Sequence, residues 1–185
     1  MKKLIILFVL SASFITSSNA IDNAQKAKAL KAIKHLENAW YSKLTEKLKE
    51  DSKGFSAVDF CHKRADKITS QVSDMYKGVT LKRVAVRYRN EKNRATKIDL
   101  PVLKEFYKIS KKRQTPAIKV VETKKTYRIY KPLVIRKPIC LKCHGNEKRM
   151  RKKLVASIDE KYPKDKAKNF KYRQSRGAIV AIIKK

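Results

Sequence analysis

Gly177-Ala178-Ile179-Val180-Ala181-Ile182-Ile183, near the C-terminus, is an unbroken apolar run. It is too short for a buried helix and does not alternate, so it predicts a strand covered on both faces inside a sheet. Moving back along the chain, residues 117–121 and 127–135 read as two strands around the polar Thr123-Lys124-Lys125, a hairpin. Val84, Val86 and Tyr88 alternate with Ala85 and Arg87, the pattern of a half-buried strand. Asp99 precedes a short helical segment through Val102, Leu103, Phe106 and Ile109, with Pro101 tolerated in its first turn. Leu154 to Ile158 reads as a further helix, closed by Tyr162-Pro163.

The N-terminal third is helical. Leu30, Ile33, Leu36, Trp40, Leu44 and Leu48 recur every three or four residues among lysines and glutamates. The break at Asp51-Ser52-Lys53-Gly54 ends this helix, and Ser56 with Asp59 resembles a capping box for a second one reaching Lys77. Its apolar stripe is Val58, Cys61, Ala65, Ile68, Val72 and Met75. Cys61 therefore faces inward, with His62 turned about 100° away. Two long helices, strand, helix, hairpin and terminal strand make an α+β fold, with helices packed on one antiparallel sheet.

Residues 1–20, MKKLIILFVLSASFITSSNA, have the charged start, apolar centre and small-residue end of a secretory signal peptide. Cleavage after Ala20 leaves residues 21–185 as a single domain, in the periplasm. No later apolar stretch is long enough to span a bilayer. The formal charge is +32, with 48 Lys and Arg against 16 Asp and Glu. Export argues against a nucleic-acid partner, and the lysines are spread along the chain rather than gathered in one block. A solvated surface explains them; steering toward an acidic protein or an anionic membrane surface is the functional alternative.

Cys140-Leu141-Lys142-Cys143-His144 carries the chemistry. In a CxxCH string the two thiols add to the vinyl groups of a haem and the histidine supplies its imidazole to the iron. A zinc site would need a second pair of ligands that the sequence lacks, and a thioredoxin-like pair belongs in a βαβ unit. The string therefore predicts one covalent haem c, with Cys140 and Cys143 as attachment points and His144 as proximal ligand. Cys61, His35, His62, Met75 and Met150 are the candidates for the other axial position, alongside an open one. His35 and His62 fall among charged residues, and Cys61 and Met75 are equally explained as core.

Tyr88-Arg89-Asn90 with Asn93, Tyr127-Arg128-Ile129-Tyr130-Lys131-Pro132-Leu133, the Cys140-to-Gly145 string, Tyr162-Pro163-Lys164-Asp165-Lys166-Ala167 and Arg176-Gly177-Ala178-Ile179 occur in that order. This combination resembles the Tll-type c-haem domain, a domain of formally unknown function found alone and as the sensor part of bacterial histidine kinases. The resemblance runs from about Ala24 to the C-terminus. It implies a PAS-like fold and haem c held between the CxxCH histidine and a cysteine of an N-terminal helix. Cys61 matches that cysteine, which implies a His144/Cys61 iron. Glu91 stands where the family's RNPxN string has proline. Arg87, Arg89 and Arg128 are candidates to pair with haem propionates, ordinary surface arginine being the alternative.

The function expected from these residues is an exported cytochrome that senses redox state or a small ligand. With no further domain after Lys185, its output is expected to need a separate partner. The alternative is a periplasmic electron carrier docking acidic redox partners. No enzymatic activity is expected, since a peroxidase-like reaction would need a polar acid-base group beside an open iron and no distal histidine suggests itself.

Overall fold

The computed structural model describes residues 21–185, so the expected signal peptide lies outside the described residues. Helix α1 (Asn23–Glu50) is followed by α2 (Phe55–Lys63), α3 (Ala65–Asp74), strand β1 (Val79–Val84), α4 (Asp99–Lys111) and the hairpin β2 (Lys119–Glu122) and β3 (Thr126–Val134). The one-turn helix α5 (Leu141–His144), then α6 (Lys152–Lys161) and β4 (Ser175–Lys184), complete the chain. The sheet is antiparallel, in the order β1-β4-β3-β2.

β4 pairs with β1 through Val79↔Ile183 to Val84↔Ala178 and with β3 through Thr126↔Lys184 to Val134↔Ser175. Its unbroken apolarity follows from what covers it. On one face Ala181 and Ile183 meet Ile33 and Leu36 of α1; on the other, Ala178 and Val180 meet Leu103 and Phe106 of α4. Every side chain from Ala178 to Ile183 therefore has an apolar neighbour, whichever face it takes. Helices flanking one antiparallel sheet are the α+β architecture that the sequence predicts.

The first half of α1 buries Ala29, Ala32, Ile33 and Leu36, and Asp22 caps it by accepting from the Gln25 amide at 3.3 Å. The second predicted helix runs as two. At Arg64 the backbone leaves the helical region (φ −121°, ψ −24°), and α3 starts at the next residue. Neither glycine nor proline marks this jog, and Val58, Ala65 and Val72, seven apart, keep the stripe periodic across it. Its last member, Met75, caps the C-terminus of α3 and is 68% exposed rather than buried. Ser56 is not the cap of α2: the Asp51 carboxylate accepts from the Ser56 and Lys53 amides at 3.0 and 2.8 Å, with Gly54 as the turn residue.

The strand predicted over residues 84–88 lies earlier, at 79–84. Beyond Val84 the chain pairs with its own following loop instead of the sheet: the Ala85 amide donates to Asn93 O and the Ala95 amide to Ala85 O. Residues 85–90 thereby swing toward the C-terminal loops, where the Lys166 amide donates to Tyr88 O. This departure from the sheet carries Arg87 and Arg89 to the CxxCH segment.

Candidate functional site

Pro138–Cys140 form a 3-10 turn that runs directly into the helical turn α5. Gly145 closes it where a Cβ would collide with the Leu141 carbonyl oxygen. The segment is clamped from two sides. Cys140 and Leu141 rest on Ile135, Ala167 and Phe170, while Cys143 packs with Val58, Leu154, Ile158 and Tyr162. The loop before β4 fastens the backbone: the Phe170 amide donates to His144 O at 2.8 Å and the Asn169 amide to Gly145 O at 2.7 Å.

His144 Nδ1 lies 2.7 Å from Ala167 O. A carbonyl can only accept, so this contact places the ring proton on Nδ1 and leaves Nε2 with a free lone pair. Burial, then the charges of Arg89 and Arg176, hold the imidazole's pKa well below its ordinary value, keeping it neutral. A neutral, oriented imidazole with a bare Nε2 is the form that binds a metal.

Cys61, on α2, faces the same region. Burial pushes its thiol up to about 11, and its electrostatic neighbours are Arg83, Cys143, Arg89 and Arg176. The Cys143 thiol is also raised by burial. All three cysteines are free thiols. Of the other axial candidates, His35 reaches the Tyr76 hydroxyl at 3.3 Å, His62 is exposed with its ring edge-on to Tyr162 at 5.2 Å, and Met150 packs in the Cys143 cluster. Among the described residues no three His, Cys, Asp or Glu side chains gather into a metal-binding group.

Arginines surround this pair. Arg89 donates to Cys143 O at 2.5 Å and to Ala167 O at 3.3 Å, and its ion pair with Asp165 is 3.1 Å. Arg83 pairs with Asp66 at 2.5 Å and lies over the Trp40 ring at 4.7 Å. Arg87 lies over Phe170 at 4.1 Å, and Arg176 donates to Arg87 O at 2.9 Å. Four guanidinium groups thus face two carboxylates. Burial, followed by repulsion from Arg89, pushes the Arg176 pKa down to about 9. The buried side-chain donors left without a partner among the described residues are Trp40 Nε1, Arg83 Nε and Arg176 Nε. All three are N–H groups, and the two guanidinium donors sit in the field that acts on Cys61, so the group that would satisfy them is an acceptor carrying negative charge.

Arg128 is not part of this assembly. It extends from β3 toward α4, where it pairs with the fully buried Asp99 at 2.8 Å and its Nε donates to the Tyr130 hydroxyl at 2.8 Å. The structure therefore brings Cys61, Arg87, Arg89, Cys140, Cys143 and His144 to one region and sends Arg128 elsewhere.

The Tll0287-like family model matches residues 13–184. The chain belongs to the Tll0287-like family. The crystal structure of the cyanobacterial heme-protein Tll0287 shares the fold at a TM-score of 0.68 and 21% identity, covering 89% of this chain and 97% of that one. No curated protein matches the chain. Within the Tll0287-like fold, Arg83, Arg176 and Trp40 are site residues that the sequence reading did not single out. Arg176 stood inside the Arg176-Gly177-Ala178-Ile179 motif, whereas nothing in the local pattern distinguishes Arg83 from its lysine neighbours. The Ala167 carbonyl that orients His144 belongs to the backbone and leaves no mark in residue type.

Proposed function

We propose that the protein is an exported c-type cytochrome carrying one covalent haem between His144 and Cys61, and that it acts as a redox or small-ligand sensor. The observation that carries this reading is a set of orphaned donor atoms, Nε of Arg83 and Arg176 and Nε1 of Trp40 beneath Arg83, in the region that holds a neutral imidazole and a buried thiol. A haem c fits that demand. Its two propionates match the excess of two positive charges left when Arg83, Arg87, Arg89 and Arg176 face Asp66 and Asp165. Cys140 and Cys143 would hold it by thioethers, and the group would supply a one-electron Fe(III)/Fe(II) couple.

The chain's own part is to orient and to poise. Ala167 O fixes the tautomer of His144 and makes Nε2 more basic. Arg83, Arg89 and Arg176 do not offset the burial of Cys61, so its thiol stays protonated and would ionise only on binding the iron. Bound there, a thiolate would favour the ferric state, and a sensor would have to couple the position of Cys61 on α2 to a change of shape. No helix among the described residues is long and apolar enough to cross a membrane, and we place the protein in the periplasm by its leader sequence. A second reading, electron transfer to an acidic partner, draws on the exposed rim beside the attachment site, where Ile139 is 37% exposed between Lys137 and Lys142.

Expression beside a c-type maturation system, followed by intact mass measurement and acid-denaturing gels stained for haem, tests the proposal. One haem that stays with the chain after denaturation is expected, and Cys140→Ser/Cys143→Ser should abolish it. A chain purified without covalent haem would defeat the proposal.

A further inference from the structure

A cavity of about 770 Å³ opens between α4 and the start of β4, within the ~300–1,000 Å³ range of small-molecule sites. Leu103 and Phe170 form its buried floor, and Val86 and Tyr107 are its exposed walls, 48% and 40% accessible. Their exposure continues the buried floor outward into an apolar strip that opens to solvent. Cations rim the cavity from both sides. Lys104, Lys108 and Lys111 follow one another at four and three residues along a single face of α4, and Arg87 and Arg176 stand opposite. The lining holds one carboxylate, Glu105, which is taken up by Lys119. None of the three lysines has a carboxylate partner among the described residues.

We infer that this groove is a binding site for an amphipathic organic anion, a monocarboxylate whose apolar chain or ring lies along Leu103, Tyr107 and Phe170 while its head group meets the lysines of α4. The charge pattern selects the class. A neutral lipid would leave Lys104, Lys108 and Lys111 without a counter-charge, and a small inorganic anion would leave the apolar floor wet. Glu105 does not oppose the head group because its charge is already spent on Lys119. The groove borders the candidate haem site, but the head group is assigned to the lysines of α4 and not to the arginines of that site. The two share Arg87, Arg176 and Phe170, whose ring stands edge-on to His144 at 6.3 Å.

Calorimetric titration of the purified holoprotein with octanoate, and with 1-octanol as its neutral counterpart, tests the inference. One saturable octanoate site per chain is expected, weakened at least about tenfold in Lys104→Gln/Lys108→Gln, with octanol binding weaker still. These lysines are exposed, so the variant should fold and keep its haem. A Leu103→Trp variant, which fills the floor, should lose the site while retaining the lysines. The inference is overturned by any of three results: no saturable binding to the holoprotein, as when the haem itself or only water fills the groove; affinity unchanged in the lysine variant; or many weak sites per chain, the mark of attraction to net charge alone.

Discussion

Two half-buried arginines at opposite ends of the sheet show what separates a structural network from a binding one. Arg128 meets Asp99 and Tyr130, and Asp99 in turn accepts from the Thr96 amide and hydroxyl at 2.8 and 2.7 Å, so every charge there has an answer. Arg176 meets three other arginines, has an orphaned Nε and is pushed down to about 9. Burial alone does not distinguish them; the count of counter-charges does. The closed network holds α4 to β3, and the open one leaves net positive charge beside the CxxCH turn.

The largest effect should come from breaking the closed network. Asp99→Asn leaves Arg128 buried without its counter-charge and should cost about 3–5 kcal/mol in chemical denaturation. If the loss is below about 1 kcal/mol, Arg128 reaches water and the comparison fails. The same pair sets an acid limb. Burial pushes the Asp99 carboxyl up, but the Thr96 and Tyr130 hydrogen bonds and the Arg128 charge outweigh it, so its pKa lies below the ordinary 3.8. A depressed carboxylate contributes its full stability above 3.8 and loses it as pH falls through the folded value. Wild type should therefore lose stability in that window, and Asp99→Asn should lose less when both are followed by denaturation against pH.

Removing a cation from the open network should behave differently. Arg176→Gln should cost less than about 1 kcal/mol in the haem-free chain, or stabilise it, because one of several repelling charges is gone. The same variant should weaken the hold on haem, read as faster loss of the native haem spectrum on mild denaturation. A large stability loss without any haem effect would make Arg176 structural, like Arg128. The smallest effect is expected at Met75→Ser, within about 0.5 kcal/mol, since Met75 is 68% exposed. A larger loss would restore Met75 to the apolar stripe.

Which parts were legible in the sequence follows from what each signal records. The central place of β4 was readable because a strand covered on both faces must be apolar throughout, as Ala178 to Ile183 are. The hairpin of β2 and β3 announced itself by the polar Thr123-Lys124-Lys125 turn. The jog at Arg64 was invisible because the spacing of Val58, Ala65 and Val72 survives it. The early end of β1 was missed because Val84, Val86 and Tyr88 alternate whether they lie in a sheet or in the loop that Ala85 pairs with residues 93–95. In the site, CxxCH named its own three residues. Arg128 and Arg176 were indistinguishable as letters, since their difference lies in Asp99 on α4 and in Arg89 and Arg87 beyond β1, contacts that only the fold creates.

The pairing of His144 with Cys61 is tested most directly by electron paramagnetic resonance and optical spectra of the ferric and ferrous holoprotein beside Cys61→Ala, with carbon monoxide added to the reduced forms. Low-spin thiolate signals in ferric wild type that vanish in the variant, with carbon monoxide taken up on reduction, are the predicted result. Spectra indifferent to Cys61 would contradict it, and an inert six-coordinate iron in both proteins would point instead to an electron carrier with another ligand.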